Sequence, residues 1–215
     1  MRVNLLACGV LAGPVFFAIF LIAGALRPDY DALRHPVSSL EFGPQGWVQS
    51  VNFVLTGTLV TLFGLGVRPL VRRLGGGLTV TILLMAVGIG LIGAGFFSPD
   101  PLSGYPPGSP PTAADPSTHR ILHDVFSTPV FTALPAACIV LARRFAKAGM
   151  RTWMIYSAVS GALMVALFVL TSVAFNQGTA LTAIGGLLQR LTLATGFAWM
   201  AMLGLHGIRS RNSPV

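Results

Sequence analysis

Long apolar segments alternate with short polar segments along this chain. Each apolar segment holds about 20 residues, the length that crosses the roughly 30 Å hydrocarbon core of a bilayer as an α-helix. The six segments occupy residues 5–26, 47–67, 78–98, 121–142, 152–174 and 181–207. None shows the alternation of polar and apolar positions that the strands of a membrane barrel require. The pattern therefore predicts an all-α polytopic membrane protein, in which residues 1–215 form a single six-helix transmembrane domain.

The amino-acid composition supports this prediction and excludes several other classes of protein. Of the 215 residues, 53% are hydrophobic and 9% are charged, and the mean hydropathy is +0.76. Soluble domains carry about 25% charged residues. The net charge of +8 comes from bases in short clusters between the apolar segments, which argues against a nucleic-acid partner. The two cysteines, Cys8 and Cys138, lie in different segments, so we expect no disulfide framework.

The cationic residues are distributed unevenly between the two sides of the predicted bundle. The polar segments 27–46 and 99–120 share one side and hold Arg27, Arg34 and Arg120. The other side holds Arg2, Arg68, Arg72, Arg73, Arg143, Arg144, Lys147, Arg151, Arg209 and Arg211. Because basic segments remain in the cytoplasm, this bias predicts that both termini are cytoplasmic. All six acidic residues fall on the outer side or at its edge.

Two histidines and an aspartate open the fourth apolar segment. His119 and His123 are four residues apart, which places both imidazoles on one helical face and suits two ligands of a zinc ion. His35 is a candidate third ligand. Asp124 is a candidate catalytic acid, although Arg120 lies four residues before it and competes for its carboxylate. The alternative is a purely structural first helical turn, where the helix dipole favours an acidic residue.

A second group of reactive side chains precedes the second apolar segment. His35, Ser38 and Glu41 lie on the same outer side as His123 and Asp124. Titratable groups that gather at one end of an apolar bundle are partly buried, and burial perturbs their pKa values. These five residues are therefore candidates for acid–base or nucleophilic catalysis. The structural alternative is that a serine here caps the following helix.

A charge within the sixth segment is the strongest single indication of a buried polar site. Arg190 lies about nine residues, or roughly 13 Å, from the start of its segment. An intramembrane charge usually faces a partner inside the bundle. Asp124 is the favoured partner and Glu41 is the second choice. With Gln189 and Asn52, Arg190 is also a candidate substrate-binding residue, whereas the alternative is a structural ion pair and interhelical hydrogen bonds.

Residues 88–93 match the dinucleotide-binding pattern G-x-G-x-x-G. That pattern requires a strand before it and a helix after it, whereas here it lies inside an apolar segment. Ala86, Gly90 and Ala94 recur at four-residue spacing, which instead predicts the close approach of a neighbouring helix.

Several short motifs are shared with a known family. They are Arg27-Pro28-Asp29-Tyr30-Asp31, His35-Pro36-Val37-Ser38-Ser39-Leu40, Gly46-Trp47, Asn52-Phe53, Phe97, Asp100-Pro101, His119, His123 and Gln189-Arg190. Over nearly its whole length the chain resembles the bacterial six-span family catalogued as domain of unknown function 998, within the wider Frag1-like group. The resemblance implies a six-helix integral protein of a bacterial cell membrane. It implies no particular reaction, but it does suggest that the outer polar positions and Arg190 belong to one shared feature.

Three functions remain open at this point. The first is a membrane enzyme that acts on a lipid or isoprenoid-like substrate, either by zinc-assisted hydrolysis or by acid catalysis. The second is a binder or transporter of a lipid or small anion that Arg190 anchors. The third is a structural membrane partner protein, in which the polar residues serve only the fold.

Overall fold

The apolar segments form helices in a computed structural model of the chain, which describes residues 2–111, 115–176 and 178–212. Six α-helices follow one another: α1 (Arg2–Ala25), α2 (Gly46–Arg73), α3 (Thr79–Ala94), α4 (Thr118–Lys147), α5 (Arg151–Phe175) and α6 (Gly185–Asn212). Two short 3₁₀ helices, Val37–Glu41 and Ala180–Ile184, precede α2 and α6. The described residues include no β-strand. The predicted all-α class is therefore confirmed.

The helices differ from the predicted segments at their ends. α2 and α4 continue into the basic residues that follow the apolar segments, because Arg and Lys are good helix formers. α3 is shorter than predicted, with 16 residues and a length of about 24 Å. Five helices are long and apolar enough to cross a membrane, and α3 is a shorter apolar helix.

The helices form a ring in chain order. Each helix packs on the next one, and α6 closes the ring against α1. The short connections α2–α3 and α4–α5 make these successive helices antiparallel. Every helix contributes a fully buried side chain to the centre: Phe16, Phe63, Leu84, Leu134, Met164 and Trp199. The buried indole of Trp199 donates to Ser157 Oγ at 3.1 Å, which satisfies its only polar group.

Glycines allow close contact between adjacent helices. A Cβ atom on Gly90 would lie 2.3 Å from the carbonyl oxygen of Phe126 in α4, and one on Gly57 would lie 2.4 Å from that of Gly88. Neither position tolerates a side chain without separating the helices. The interpretation of Gly90 as a helix-packing residue is confirmed.

The connections α1–α2 and α3–α4 lie together at one end of the ring. We call residues 26–45 and 95–111 the cap. Three rings join its two segments, since Tyr105 of the second segment lies 5.5 Å from Tyr30 and 5.0 Å from His35 between ring centroids. The connections α2–α3 and α4–α5 lie at the opposite end of the bundle. We call residues 68–78 and 143–151 the basic end.

Candidate functional site

Arg190 binds the cap, and no carboxylate among the described residues pairs with it. Its Nη1 donates to the carbonyl oxygens of His35 at 3.0 Å and Gly186 at 2.9 Å, and its Nη2 donates to the Tyr30 hydroxyl at 2.5 Å. The guanidinium also lies 5.5 Å from the ring centroid of Phe20. Arg190 thus draws its own helix, α1 and the first cap segment together.

The predicted pair between Arg190 and Asp124 is wrong, and so is the second choice, Glu41. Asp124 pairs with Arg120 on its own helix, with 3.5 Å between Oδ2 and Nε, and its side chain is 61% exposed. α6 begins at Gly185, so Arg190 lies only about 8 Å from the helix start. From there the long side chain reaches the carbonyl oxygens of the cap. The predicted segment, which began at residue 181, placed Arg190 deeper in the membrane and did not suggest this contact.

The first turn of α6 adds backbone contacts to the same cap segment. The amides of Gly186 and Leu187 donate to the carbonyl oxygens of Arg34 and Leu33 at 3.1 and 2.9 Å. These bonds satisfy helix-terminal donors that have no partner within the helix. Gln189 accepts a hydrogen bond at Oε1 from the amide of Val37 at 2.8 Å. The predicted substrate-binding residues Gln189 and Arg190 therefore both position the cap.

Glu41 and His123 form a buried contact between the cap and α4. Glu41 accepts from the Ser50 hydroxyl at 3.0 Å, and its Oε2 lies 3.6 Å from Nδ1 of His123. The same Nδ1 lies 2.6 Å from the carbonyl oxygen of Phe97 and 3.2 Å from that of Ala94. Because a carbonyl only accepts, Nδ1 carries the ring proton. Burial raises the pKa of Glu41 to about 8, so its carboxyl is largely protonated at neutral pH.

His35 lies inside the cap. Its Nδ1 accepts from the amide of Asp31 at 2.9 Å, and the ring also hydrogen-bonds the backbone of Ser103. Tyr30 and Tyr105 pack against it. Burial lowers the pKa of His35, which favours the neutral imidazole. The His35 ring thus contributes to the folding of the cap.

A cavity of about 380 Å³ lies beneath the cap, where α4, α5 and α6 meet. Its wall divides into two chemical kinds. The polar part includes Ser38, Ser39, Asp100, Arg120, His123, Asp124, Ser127, Thr128, Thr171, Ser172, Asn176 and Gln189. The apolar part includes Phe16, Phe53, Leu91, Val130, Phe131, Phe168, Phe175 and Leu193. The cavity is therefore amphiphilic.

The structure brings four of the predicted site residues to this cavity: Ser38, His123, Asp124 and Gln189. Five others are not among its lining residues: His35, Glu41, Asn52, His119 and Arg190. Asn52 instead joins two helices, since its Nδ2 donates to the carbonyl oxygen of Phe16 in α1 at 3.1 Å. Glu41 reaches the cavity only through its contact with His123.

The described residues do not assemble the predicted zinc site. His119 is exposed, and its ring packs edge-on against Phe97 at 5.8 Å between centroids. Nδ1 of His123 faces carbonyl oxygens, and Nδ1 of His35 accepts an amide proton, so neither of these nitrogens is available to a metal. Within the described parts of the chain, no group of three or more His, Cys, Asp or Glu side chains is arranged for a metal ion. Four-residue spacing placed the histidines on one helix but did not supply further ligands.

Sequence reasoning missed several residues of the site. Tyr30 lies in a motif shared with the family and Tyr105 does not, but only the tertiary structure shows that the two rings pack together in the cap. Asp100 accepts from the amide and hydroxyl of Ser117, the N-cap residue of α4, at 2.8 and 2.6 Å. Partial burial opposes ionisation of Asp100, but the Ser117 hydrogen bonds hold its pKa below the ordinary value. Ser117 lies three residues before Arg120 at the start of α4, and a serine in that position was a sequence signal for the N-cap of this helix.

Five long apolar helices and a shorter sixth one, with many large apolar side chains on the outer surface, define a multi-pass membrane protein. The sequence profile of a family described as "Protein of unknown function (DUF998)" matches residues 10–206. The chain belongs to this family, as the resemblance in its sequence implied. In the same comparisons, no curated protein and no solved structure matched this chain.

Proposed function

We propose that this protein binds a lipid or isoprenoid-like amphiphile in the cavity beneath the cap. The observation that carries the proposal is the lining of the cavity, which combines polar and apolar side chains. A volume of about 380 Å³ falls within the roughly 300–1,000 Å³ that small-molecule sites occupy. Phe131 and Phe168 stack with 4.8 Å between their ring centroids and offer a flat apolar surface. Polar groups of α4 and the cap offer hydrogen bonds to a headgroup.

Charged residues in the cavity lining support an ionised or strongly polar headgroup. Arg120 and Asp124 are held together at 3.5 Å yet remain partly exposed. A headgroup can therefore bind either one by displacing water rather than by breaking a buried pair. The buried Arg190 is already bound to the cap, so the proposed ligand does not use it as an anchor.

Filling the cavity tests this proposal. Ser172 lines the cavity and is exposed, so Ser172→Trp adds bulk there without opening the core. Val169 lies on the same helix, is 54% exposed and does not line the cavity, which makes Val169→Trp the matched control. The probe is a pyrene-labelled lysophospholipid titrated into purified protein in detergent. We expect Ser172→Trp to weaken binding about ten-fold or more, and Val169→Trp to leave it unchanged. Equal binding by both variants would refute the site.

We further propose that all six helices span a bacterial inner membrane, with both termini in the cytoplasm. The distribution of bases supports this orientation, since the basic end and both chain termini share one side. In a variant without native cysteines, Asp115→Cys near the cap and Ala148→Cys at the basic end are compared. An impermeant maleimide added to intact spheroplasts should label only Asp115→Cys. Labelling of Ala148→Cys alone would invert the topology.

The contact between Glu41 and His123 favours a second candidate function, acid catalysis on the bound amphiphile. His123 lines the cavity, and Glu41 behind it holds a proton near neutral pH. Glu41 Oε2, which has no hydrogen-bond partner among the described residues, can deliver that proton directly to an alkene or a leaving group of an amphiphile that reaches past His123, with Asp124 and Ser38 beside the substrate. Turnover of lipid extracts by wild type that is lost in Glu41→Gln, with amphiphile binding retained, would support catalysis. Binding without turnover would leave the binding function alone.

A further inference from the structure

A groove at the basic end combines two arginines with an apolar floor. It holds about 260 Å³ between α1 and α2 and is lined by Leu5, Leu65, Gly66, Arg68, Pro69 and Arg72. At Gly66 the two helices touch, because a Cβ atom there would lie 2.7 Å from the Leu5 side chain. This groove is separate from the cavity beneath the cap.

The groove lies about one hydrocarbon thickness along α2 from the capped end. Trp47, at the start of α2, is 66% exposed, as an aromatic residue at a membrane interface is. Arg68 follows it by 21 residues, or about 32 Å along the helix, slightly more than the hydrocarbon thickness. Leu65, 45% exposed, lies one turn nearer the bilayer centre, and Arg72 lies one turn farther out. The lining of the groove thus changes from apolar to cationic along α2, from the bilayer centre toward the headgroups.

Arg68 and Arg72 have no acidic partner in this part of the protein. Every acidic residue of the chain lies in positions 29–41 or 100–124, away from the basic end. In the described ranges, neither guanidinium takes part in an ion pair. Both are exposed and, at a spacing of four residues, lie on the same face of α2. Two adjacent guanidinium groups match the geometry and charge of a phosphate.

We propose that this groove binds an anionic glycerophospholipid, with its phosphate between Arg68 and Arg72 and an acyl chain along Leu5 and Leu65. Charge complementarity selects an anionic headgroup over a zwitterionic one. The inference does not depend on the cavity beneath the cap or on its proposed ligand.

Native mass spectrometry of the whole protein tests this inference with two lipids, dioleoylphosphatidylglycerol and dioleoylphosphatidylcholine. Wild type should bind the anionic lipid about 30-fold more tightly, the preference that two arginines at a membrane surface provide. Arg68→Gln with Arg72→Gln should abolish this preference. Arg73→Gln with Arg143→Gln removes the same charge from exposed residues of the basic end outside the groove and should retain it.

Three outcomes would overturn the site. Equal loss of preference in both double variants would indicate diffuse attraction by the basic end. Competition by free glycerol 3-phosphate as strong as that by the lipid would indicate a phosphate site without an acyl chain. Unchanged binding by Leu65→Trp, which fills the groove without changing charge, would exclude the apolar floor. Matching circular dichroism and elution profiles establish that each variant is folded.

Discussion

At the capped end of the bundle, Arg27 and Arg190 bind the protein's own backbone, whereas at the basic end most cationic side chains extend outward. Arg190 and Arg27 donate to carbonyl oxygens of the first cap segment. At the basic end, Arg144 donates to the carbonyl oxygen of Gly75 at 2.7 Å, while Arg68 and Arg72 remain exposed. Arg27 and Arg190 thus stabilise an irregular backbone, whereas most charges at the basic end are exposed.

Connection length explains this difference. The cap segments are long and hold many backbone groups that no helix satisfies, and buried groups of this kind must find donors. The connections at the basic end, between α2 and α3 and between α4 and α5, are short, so they need few donors. The same residue type therefore has a structural role at one end and an open guanidinium at the other.

Replacement of Arg190 should give the largest loss of hydrogen bonds. Arg190→Leu removes the donors for two carbonyls and the Tyr30 hydroxyl, so we expect the free energy of unfolding to fall by about 3 kcal/mol. Unfolding by SDS in mixed micelles, followed by tryptophan fluorescence, measures this change. Arg73→Leu, at an exposed residue of the basic end, should cost less than about 0.5 kcal/mol. Equal effects would remove the distinction between the ends.

Glu41 should make stability depend on pH. Its pKa rises from 4.5 to about 8 on folding, so between these values the folded state holds a proton that the unfolded state releases. The free energy of unfolding contributed by Glu41 therefore falls as pH rises through this window, by about 1.4 kcal/mol per pH unit.

Glu41→Gln isolates that contribution, because the amide keeps the shape and the acceptor for Ser50 but does not titrate. The difference in stability between wild type and Glu41→Gln is measured from pH 5 to pH 9. We expect it to decline steadily and to level off above pH 8. A difference that stays constant would mean that Glu41 is ionised throughout this range.

Arg144 differs from Arg68 and Arg72 at the basic end because it donates to a backbone carbonyl, that of Gly75. Arg144→Gln loses the hydrogen bond to Gly75, and we expect a loss of about 1 kcal/mol in the SDS unfolding assay. Arg143→Gln, one residue earlier and exposed, is the control and should show almost no change. A loss as large as that for Arg190→Leu would show that the short connections also depend on buried donors.

Replacement of Asp124 should change stability least among the substitutions of Arg190, Glu41, Arg144 and Asp124. Its exposed pair with Arg120 on one helix contributes only about 0.3 kcal/mol, so Asp124→Asn should barely shift the unfolding transition. A loss of several kcal/mol would instead restore the buried pair with Arg190 that the sequence favoured. Binding of the pyrene-labelled lysophospholipid by the same variant reports separately on the cavity.

The pattern of apolar residues predicted the positions of all six helices, because hydropathy over about 20 residues does not depend on distant contacts. It was less accurate at the ends. The arginines after residue 67 extend α2, and α3 ends at Ala94, whose carbonyl and that of Phe97 face His123. That contact joins residues more than 25 positions apart, and no local pattern contains it.

The candidate site was predicted in part. The sequence placed His35, His119, His123, Ser38 and Glu41 on one side of the bundle, and the structure places them at the capped end. The hydrogen-bond partners of these side chains were not predicted, because helical spacing relates only residues within one helix. Arg190 was expected to bind a carboxylate, but its Nη1 and Nη2 groups instead donate to backbone carbonyls and to a tyrosine hydroxyl.

By itself, the sequence determined the all-α class, the positions of the apolar helices and the separation of bases from acids, because these depend on composition within single segments. Only the tertiary structure decided which polar groups line a cavity and which ones fold the cap. Those assignments depend on how two long connections cover the ends of helices that are distant in the chain. A buried donor in such a place binds the nearest unsatisfied carbonyl, and only the folded backbone determines which carbonyl that is.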